Sequence, residues 1–103
     1  MTSDYENRIR RVIRHISDNP AGDLSLDALA DVAAMSRFHW HRVFRAMTGE
    51  TCAEAVRRLR MHRAATWIVE TDQPIERIAS CCGYENVQSF NRLFREIMSM
   101  TPK

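Results

Sequence analysis

Lysine is all but missing from this chain of 103 residues: Lys103 is the single one, so fourteen of the fifteen basic side chains are arginine. Glycine and proline are scarce too, three of each, and aromatics are few. With long stretches of Ala, Arg, Leu, Met and Glu in their place, the composition favours helix over sheet. No apolar run approaches the roughly 20 residues of a membrane span. The opening Met1-Thr2-Ser3-Asp4-Tyr5-Glu6 has no hydrophobic stretch of a secretory signal. A membrane partner is therefore not expected, and a cytoplasmic location is. Three cysteines, with Cys81 and Cys82 adjacent, form no disulfide framework, and no second Cys pair or suitably spaced His suggests zinc. Cys52 and Cys82 are expected to be buried as small hydrophobes, with Cys81 exposed. His39 and His41 diverge at i and i+2 on a helix and find no third ligand. No Ser/His/Asp set, glycine-rich phosphate loop or paired acid and base is present, so the chain is not expected to be an enzyme or to hold a cofactor or metal.

What is there suffices for one domain with a real core. The formal net charge of +2 argues only weakly for a polyanionic partner. Arginine says more, because its guanidinium fork suits phosphate oxygens and guanine edges better than an ammonium does. A GC-rich coding preference would also enrich arginine, so placement decides.

Ser3 and Glu6 form a capping box, after which Ile9, Val12, Ile13 and Ile16 fall at i, i+3, i+4 and i+7 and predict one buried stripe. Asn19-Pro20-Ala21-Gly22-Asp23 ends that helix. Ser25 caps a short second helix with Leu26, Leu29, Ala30 and Ala33 inward and Leu24 and Leu29 as a hydrophobic staple. Ser36 caps a third, in which Trp40, Val43, Phe44 and Met47 repeat the spacing, and Gly49 stops it. Thr51 and Glu54 make a second capping box, and nothing breaks the following helix of nearly 20 residues until about Val69. Its apolar residues begin as Cys52, Ala55, Val56 and Leu59, then change phase to Met61, Ala64, Ala65 and Ile68. Each half of this spine therefore faces a different neighbour. Asp72-Gln73-Pro74 marks the next boundary, with Pro74 suited to a first helical turn.

The segment after Pro74 repeats the one after Leu24. Leu26, Leu29, Ala30 and Ala33 correspond to Ile75, Ile78, Ala79 and Cys82, offset by 49. One residue more in the turn, Trp40, Arg42, Val43, Phe44, Arg45 and Met47 correspond to Phe90, Arg92, Leu93, Phe94, Arg95 and Ile97, offset by 50. Each copy is a short helix, a tight turn (Ala34-Met35 or Gly83-Tyr84-Glu85) and a second helix with aromatic anchors. Ala30 and Ala79 allow the close, steep crossing of a helix-turn-helix. The expected architecture is all-α, with two helix-turn-helix subdomains (1–50 and 73–103) joined by a long central helix (51–72), homeodomain-like.

The inward stripes leave Arg37, Phe38, His41, Arg42 and Arg45 outward in the first copy, and Val87, Gln88, Asn91, Arg92 and Arg95 in the second. Arg reads guanine, Gln and Asn read adenine, and Val and Phe press on a thymine methyl. Arg42 and Arg92 are the candidates for base readout; Arg45 and Arg95, further around, for phosphate. Along the spine, Arg57, Arg58, Arg60 and Arg63 either track phosphates or are solvated. A helix of this length rises about 30 Å, near the roughly 34 Å between successive major grooves on one face of the duplex, so one chain could read two of them as a monomer.

These residues resemble the AraC/XylS family of bacterial transcription regulators from about Leu24 to Pro102. The most specific part runs through Ile75-Glu76-Arg77-Ile78-Ala79, Gly83-Tyr84-Glu85, Ser89-Phe90-Asn91-Arg92-Leu93-Phe94-Arg95 and Thr101-Pro102. The resemblance implies about seven helices, the third and sixth in successive major grooves. It places DNA contacts at Phe38, His41 and Arg42 and at Val87, Gln88, Ser89, Asn91 and Arg92. It also implies activation as the commoner outcome, RNA polymerase as a second partner, and an effector-binding or dimerisation domain outside this chain. Two positions depart from the pattern. Val87 stands where some members carry a polar residue, and Ser99 where a helix-ending Gly is usual, so that either an αL position is strained or the helix runs on. The chain stops where a final helix usually begins, which suggests truncation; with Met1 as a natural start, any missing domain is expected C-terminally.

The competing function is a non-catalytic helical protein-interaction module that sets its Arg-rich face against an acidic partner. Salt-dependent, sequence-selective binding to double-stranded DNA separates the two.

Overall fold

The computed structural model describes residues 4–100. Their regular structure is helical throughout: α1 (Asp4–Asp18), α2 (Leu26–Ala33), α3 (Arg37–Thr48), α4 (Cys52–Glu70), α5 (Ile75–Cys81) and α6 (Val87–Met100). Six helices are thus seen among the described residues, against the seven that the resemblance implies. The proposed Ser3 cap lies outside them, as do Thr101 and Pro102.

Side-chain caps set most of the starts. Ser25 accepts from the Ala28 N–H at 3.2 Å and Ser36 from the His39 N–H at 3.3 Å, each covering a donor that the first turn leaves orphaned. Thr51 and Glu54 cap each other's backbone at 2.9 and 3.2 Å. Pro74 is itself the N-cap of α5, in extended conformation, rather than a residue of its first turn. At the far end α6 runs through Ser99, whose hydroxyl donates to the Glu96 carbonyl at 3.0 Å. Of the two outcomes expected for a missing Gly, the helix runs on.

The phase change along α4 divides the interior in two. Ile9, Val12, Ile16, Leu29, Ala30, Ala33, Trp40 and Phe44 close one core against Cys52, Ala55 and Val56 at the start of α4. Met61 and Ala64 of its second half close the other against Ile78, Ala79, Cys82 and Phe90. Trp40 and Phe90, equivalent in the repeat, are both fully buried and anchor their cores with the large contact area of an aromatic ring. Two expected core residues stay out: Met47 is 45% exposed and Ile68 39%. Trp67 takes the place on the second core, and Ile68, about 100° further round the helix, turns away from it. On α3 the buried stripe ends with Phe44, and Met47 in the last turn lies outside the core cluster. Phe94 is only partly buried, against the second core.

The two turns match atom for atom where it matters. Met35 N–H bonds the Ala30 carbonyl at 3.0 Å and Tyr84 N–H the Ala79 carbonyl at 2.9 Å, and each turn contains one left-handed residue, Ala34 or Gly83. As expected, Cys52 and Cys82 are buried and Cys81 is exposed. Burial, chiefly, pushes the Cys82 thiol up to about 11, with Cys81 adding to the shift and Arg60 and Arg63 opposing it. This thiol is held protonated and inert at neutral pH.

Candidate nucleic-acid interface

The second helix of each repeat presents the outward residues. On α3, Arg37, Phe38, His41, Arg42 and Arg45 are all exposed, Phe38 to 78%. This bare ring, in the first turn of a capped helix, is open to an apolar contact from a partner. Arg37 leans on Asp27 of α2 at 3.5 Å, an exposed pair of little energetic weight. His39, between the outward positions, meets the Tyr5 hydroxyl through Nε2 at 3.0 Å, which ties the start of α1 to the start of α3.

On α6, Gln88, Ser89, Arg92 and Arg95 are exposed and Asn91 partly so. Gln88, Asn91, Arg92 and Arg95, with Glu96 and Ser99, line one open depression of about 510 Å³. Ser89 and Val87 do not line it. Val87, expected outward, is half-buried and packs against the second core, so it offers a ligand only part of its side chain. The backbone N–H of Ser89 is already used by Asn86, whose Oδ1 accepts it at 3.0 Å. Asn86 therefore caps α6 as Ser36 caps α3, a role that the sequence reading did not assign although Asn is among the preferred caps.

Electrostatics separates these arginines from the rest. Arg42, Arg92 and Arg95 have no ion pair or hydrogen bond among the described residues, and neither α3 nor α6 carries an acidic residue in its first turn. Neither helix therefore sets a carboxylate of its own first turn against the positive end of its dipole. Along the spine the situation is reversed. Arg58 grips Glu50 with contacts down to 2.6 Å, Arg60 donates to the Pro20 carbonyl at 2.8 Å, and Arg63 lies over the Trp67 ring at 5.2 Å. Of the readings offered for the spine arginines, free solvation therefore gives way for these three to internal contacts. Of the four, Arg57 alone is exposed. The Arg58 pair also takes up the charge of Glu50, the carboxylate nearest the end of α3.

A family model described as a helix-turn-helix domain matches residues 29–103. The bifunctional transcriptional activator/DNA repair enzyme AdaA of Bacillus subtilis is 33% identical over 91 residues, covering 88% of this chain and 43% of the relative; the chain thus spans less than half of that protein. The regulatory protein SoxS of Salmonella typhimurium is 32% identical over 98 residues, covering 95% of this chain and 92% of SoxS. A solved structure of a DNA-binding transcriptional dual regulator from Escherichia coli K-12 superposes with a TM-score of 0.82 at 28% identity, over 99% of this chain and 87% of that one.

Proposed function

Because the chain belongs to the AraC/XylS family of helix-turn-helix transcription regulators, we propose that it binds duplex DNA in a sequence-specific way as a single chain. In this reading α3 and α6 enter successive major grooves, residues 1–50 and 73–103 act as the two reading units, and 51–72 as the strut. The observation that carries it is the pair of exposed, unpaired guanidinium groups at equivalent places, Arg42 on α3 and Arg92 on α6, on helices whose own first turns hold no acid. Nineteen residues of α4 give a strut of about 28 Å, and the molecule is 40 Å in its longest dimension, enough to reach across one helical turn of DNA.

The side chains suggest roles. Arg42 and Arg92 read guanine O6 and N7, Gln88 and Asn91 read adenine, Phe38 presses on a thymine methyl, and His41 contacts a base or a phosphate. Arg37, Arg45 and Arg95 hold phosphates, which positions the helices without specifying sequence. Ser89 adds a hydroxyl donor and Val87 a small apolar contact. Transcription activation is in keeping with a relative named as a transcriptional activator; RNA polymerase is the second partner that this reading adds, and the chemistry is binding, not catalysis.

In vitro selection from random duplexes, followed by footprinting, tests this. The expected product is an asymmetric site protected over two adjacent grooves. Arg42→Ala and Arg92→Ala are each expected to weaken binding to that site by about 1–3 kcal/mol with helicity unchanged by circular dichroism. Unaltered affinity in both variants removes the base-readout assignment; salt-insensitive binding to an acidic protein with none to DNA favours the interaction-module alternative instead.

A further inference from the structure

All substantial packing between helices falls either among α1–α4 or among α4–α6. Two units joined by a lone helix would be free to flex about it, yet side chains reading base edges tolerate little error, since hydrogen bonds weaken steeply away from their preferred geometry. A side-chain contact also bridges the units. Arg60, midway along α4, donates through Nε to the Pro20 carbonyl just beyond α1, at 2.8 Å across 40 residues of sequence. Its guanidinium carbon lies 5.6 Å from the centre of the Tyr84 ring in the α5–α6 turn. Tyr84 in turn rests on Phe90 at 5.8 Å, and Phe90 is the buried anchor of α6.

Gly83 shows how closely the parts meet. A Cβ there would stand 3.1 Å from the Pro20 oxygen and 3.2 Å from the Arg60 guanidinium, so the turn of the second unit seats directly against the exit of α1. Arginine suits such a joint because one planar group bonds an acceptor in its plane while its face lies on a ring. No carboxylate pairs with Arg60 among the described residues; its partners are a carbonyl from one unit and an aromatic ring from the other.

We propose that Arg60 is a positioning residue that locks the angle between the two units, and so sets which separation of half-sites the protein accepts; this inference rests on the two-groove reading above. A rigid joint raises the effective concentration of the second reading helix once the first is bound. Without it, the second helix must find its groove from a wider spread of orientations.

The test uses the whole chain and four kinds of duplex: the selected site, the site with either half scrambled, and the site with a base pair inserted or removed between halves. Arg60→Met keeps the stem and removes the guanidinium. It is expected to weaken the selected site by about tenfold, to leave each half-site alone bound as before, and to reduce the penalty for altered spacing. Residual dipolar couplings on the free protein are expected to change from one shared alignment to two. Tyr84→Phe keeps the ring and is expected to behave as the parent, whereas Tyr84→Leu follows Arg60→Met. Should Arg60→Met fail to fold, Arg60→Lys, which keeps the charge but loses the planar fork, gives the same readings. An unchanged spacing penalty and a single alignment in a folded Arg60 variant overturn the proposal. So does an equal loss on every duplex with a shallower salt dependence, which marks a phosphate contact instead. If the parent protein protects only one groove, the two-groove reading itself fails, whatever Arg60 does.

Discussion

Ala34 and Gly83 occupy matching places in the two turns, with φ of 58° and 88°. Left-handed backbone costs a residue with a Cβ about 1–2 kcal/mol, more than the entropy lost by freeing the unfolded chain with a glycine, about 0.4–1 kcal/mol. Ala34→Gly is therefore expected to raise stability by about 0.5–1 kcal/mol. Gly83→Ala is expected to lower it by about 2 kcal/mol or more, since its methyl would also press on Pro20 and Arg60. Urea denaturation of the pair decides this, and a loss in both variants would contradict the reading. The glycine in the second turn is a visible signal of such backbone, but alanine gives none, and only its alignment with Gly83 hints at what Ala34 does. The same limit holds for the spine. Nothing local to Arg60 tells that it meets a carbonyl forty residues away, whereas the outward set on α3 and α6 follows from helical period alone. Val87 is the exception, because period fixes a direction but not whether a neighbour reaches over it.

The caps govern whole elements. Asn86 and Ser36 play one part in two helices, so Asn86→Ala and Ser36→Ala are each expected to cost about 1 kcal/mol by thermal melting, and to loosen the reading helix that they start. Asn86 went unread because Asn serves turns as readily as caps, and it follows a turn. The box at the start of α4 was plain from Thr51 and Glu54 and carries a pH dependence. The Thr51 backbone N–H, first, and its hydroxyl hold the Glu54 carboxyl below its ordinary value, with small help from Arg45 and Arg57. A lowered folded-state value means that the stabilisation is complete above the ordinary carboxylate range and fades as pH falls through it. Glu54→Gln is thus expected to flatten the acid side of a plot of Tm against pH; an identical acid slope in parent and variant would argue against the box. Periodicity marked the buried stripes well but overran them at Met47 and Ile68, since a repeat cannot report where the partner helix ends.

At the scale of the molecule, one helix serves two interiors that share no buried residue. Phe90→Ala empties the centre of the second and is expected to cost about 3–5 kcal/mol, a large part of the roughly 5–15 kcal/mol that holds a domain together. Hydrogen exchange on this variant should show α5 and α6 opening while amides around Trp40 keep their protection; uniform loss would mean a single cooperative unit. The division was legible in the phase change along α4, and the duplication in the offset of Leu26 and Ile75. The joint that squares the halves to each other was not, being made by tertiary contact alone. The halves themselves are unlike, Phe38, His41 and Arg42 on one and Gln88, Asn91 and Arg92 on the other, and no rotation exchanges them. A symmetric dimer on a palindrome sits the same way whichever strand is called the top. In the proposed single-chain, two-groove reading this chain has a heading: flipping its operator in place turns it end for end, so that a neighbour bound downstream meets the flank of α1 in one promoter and of α6 in its mirror.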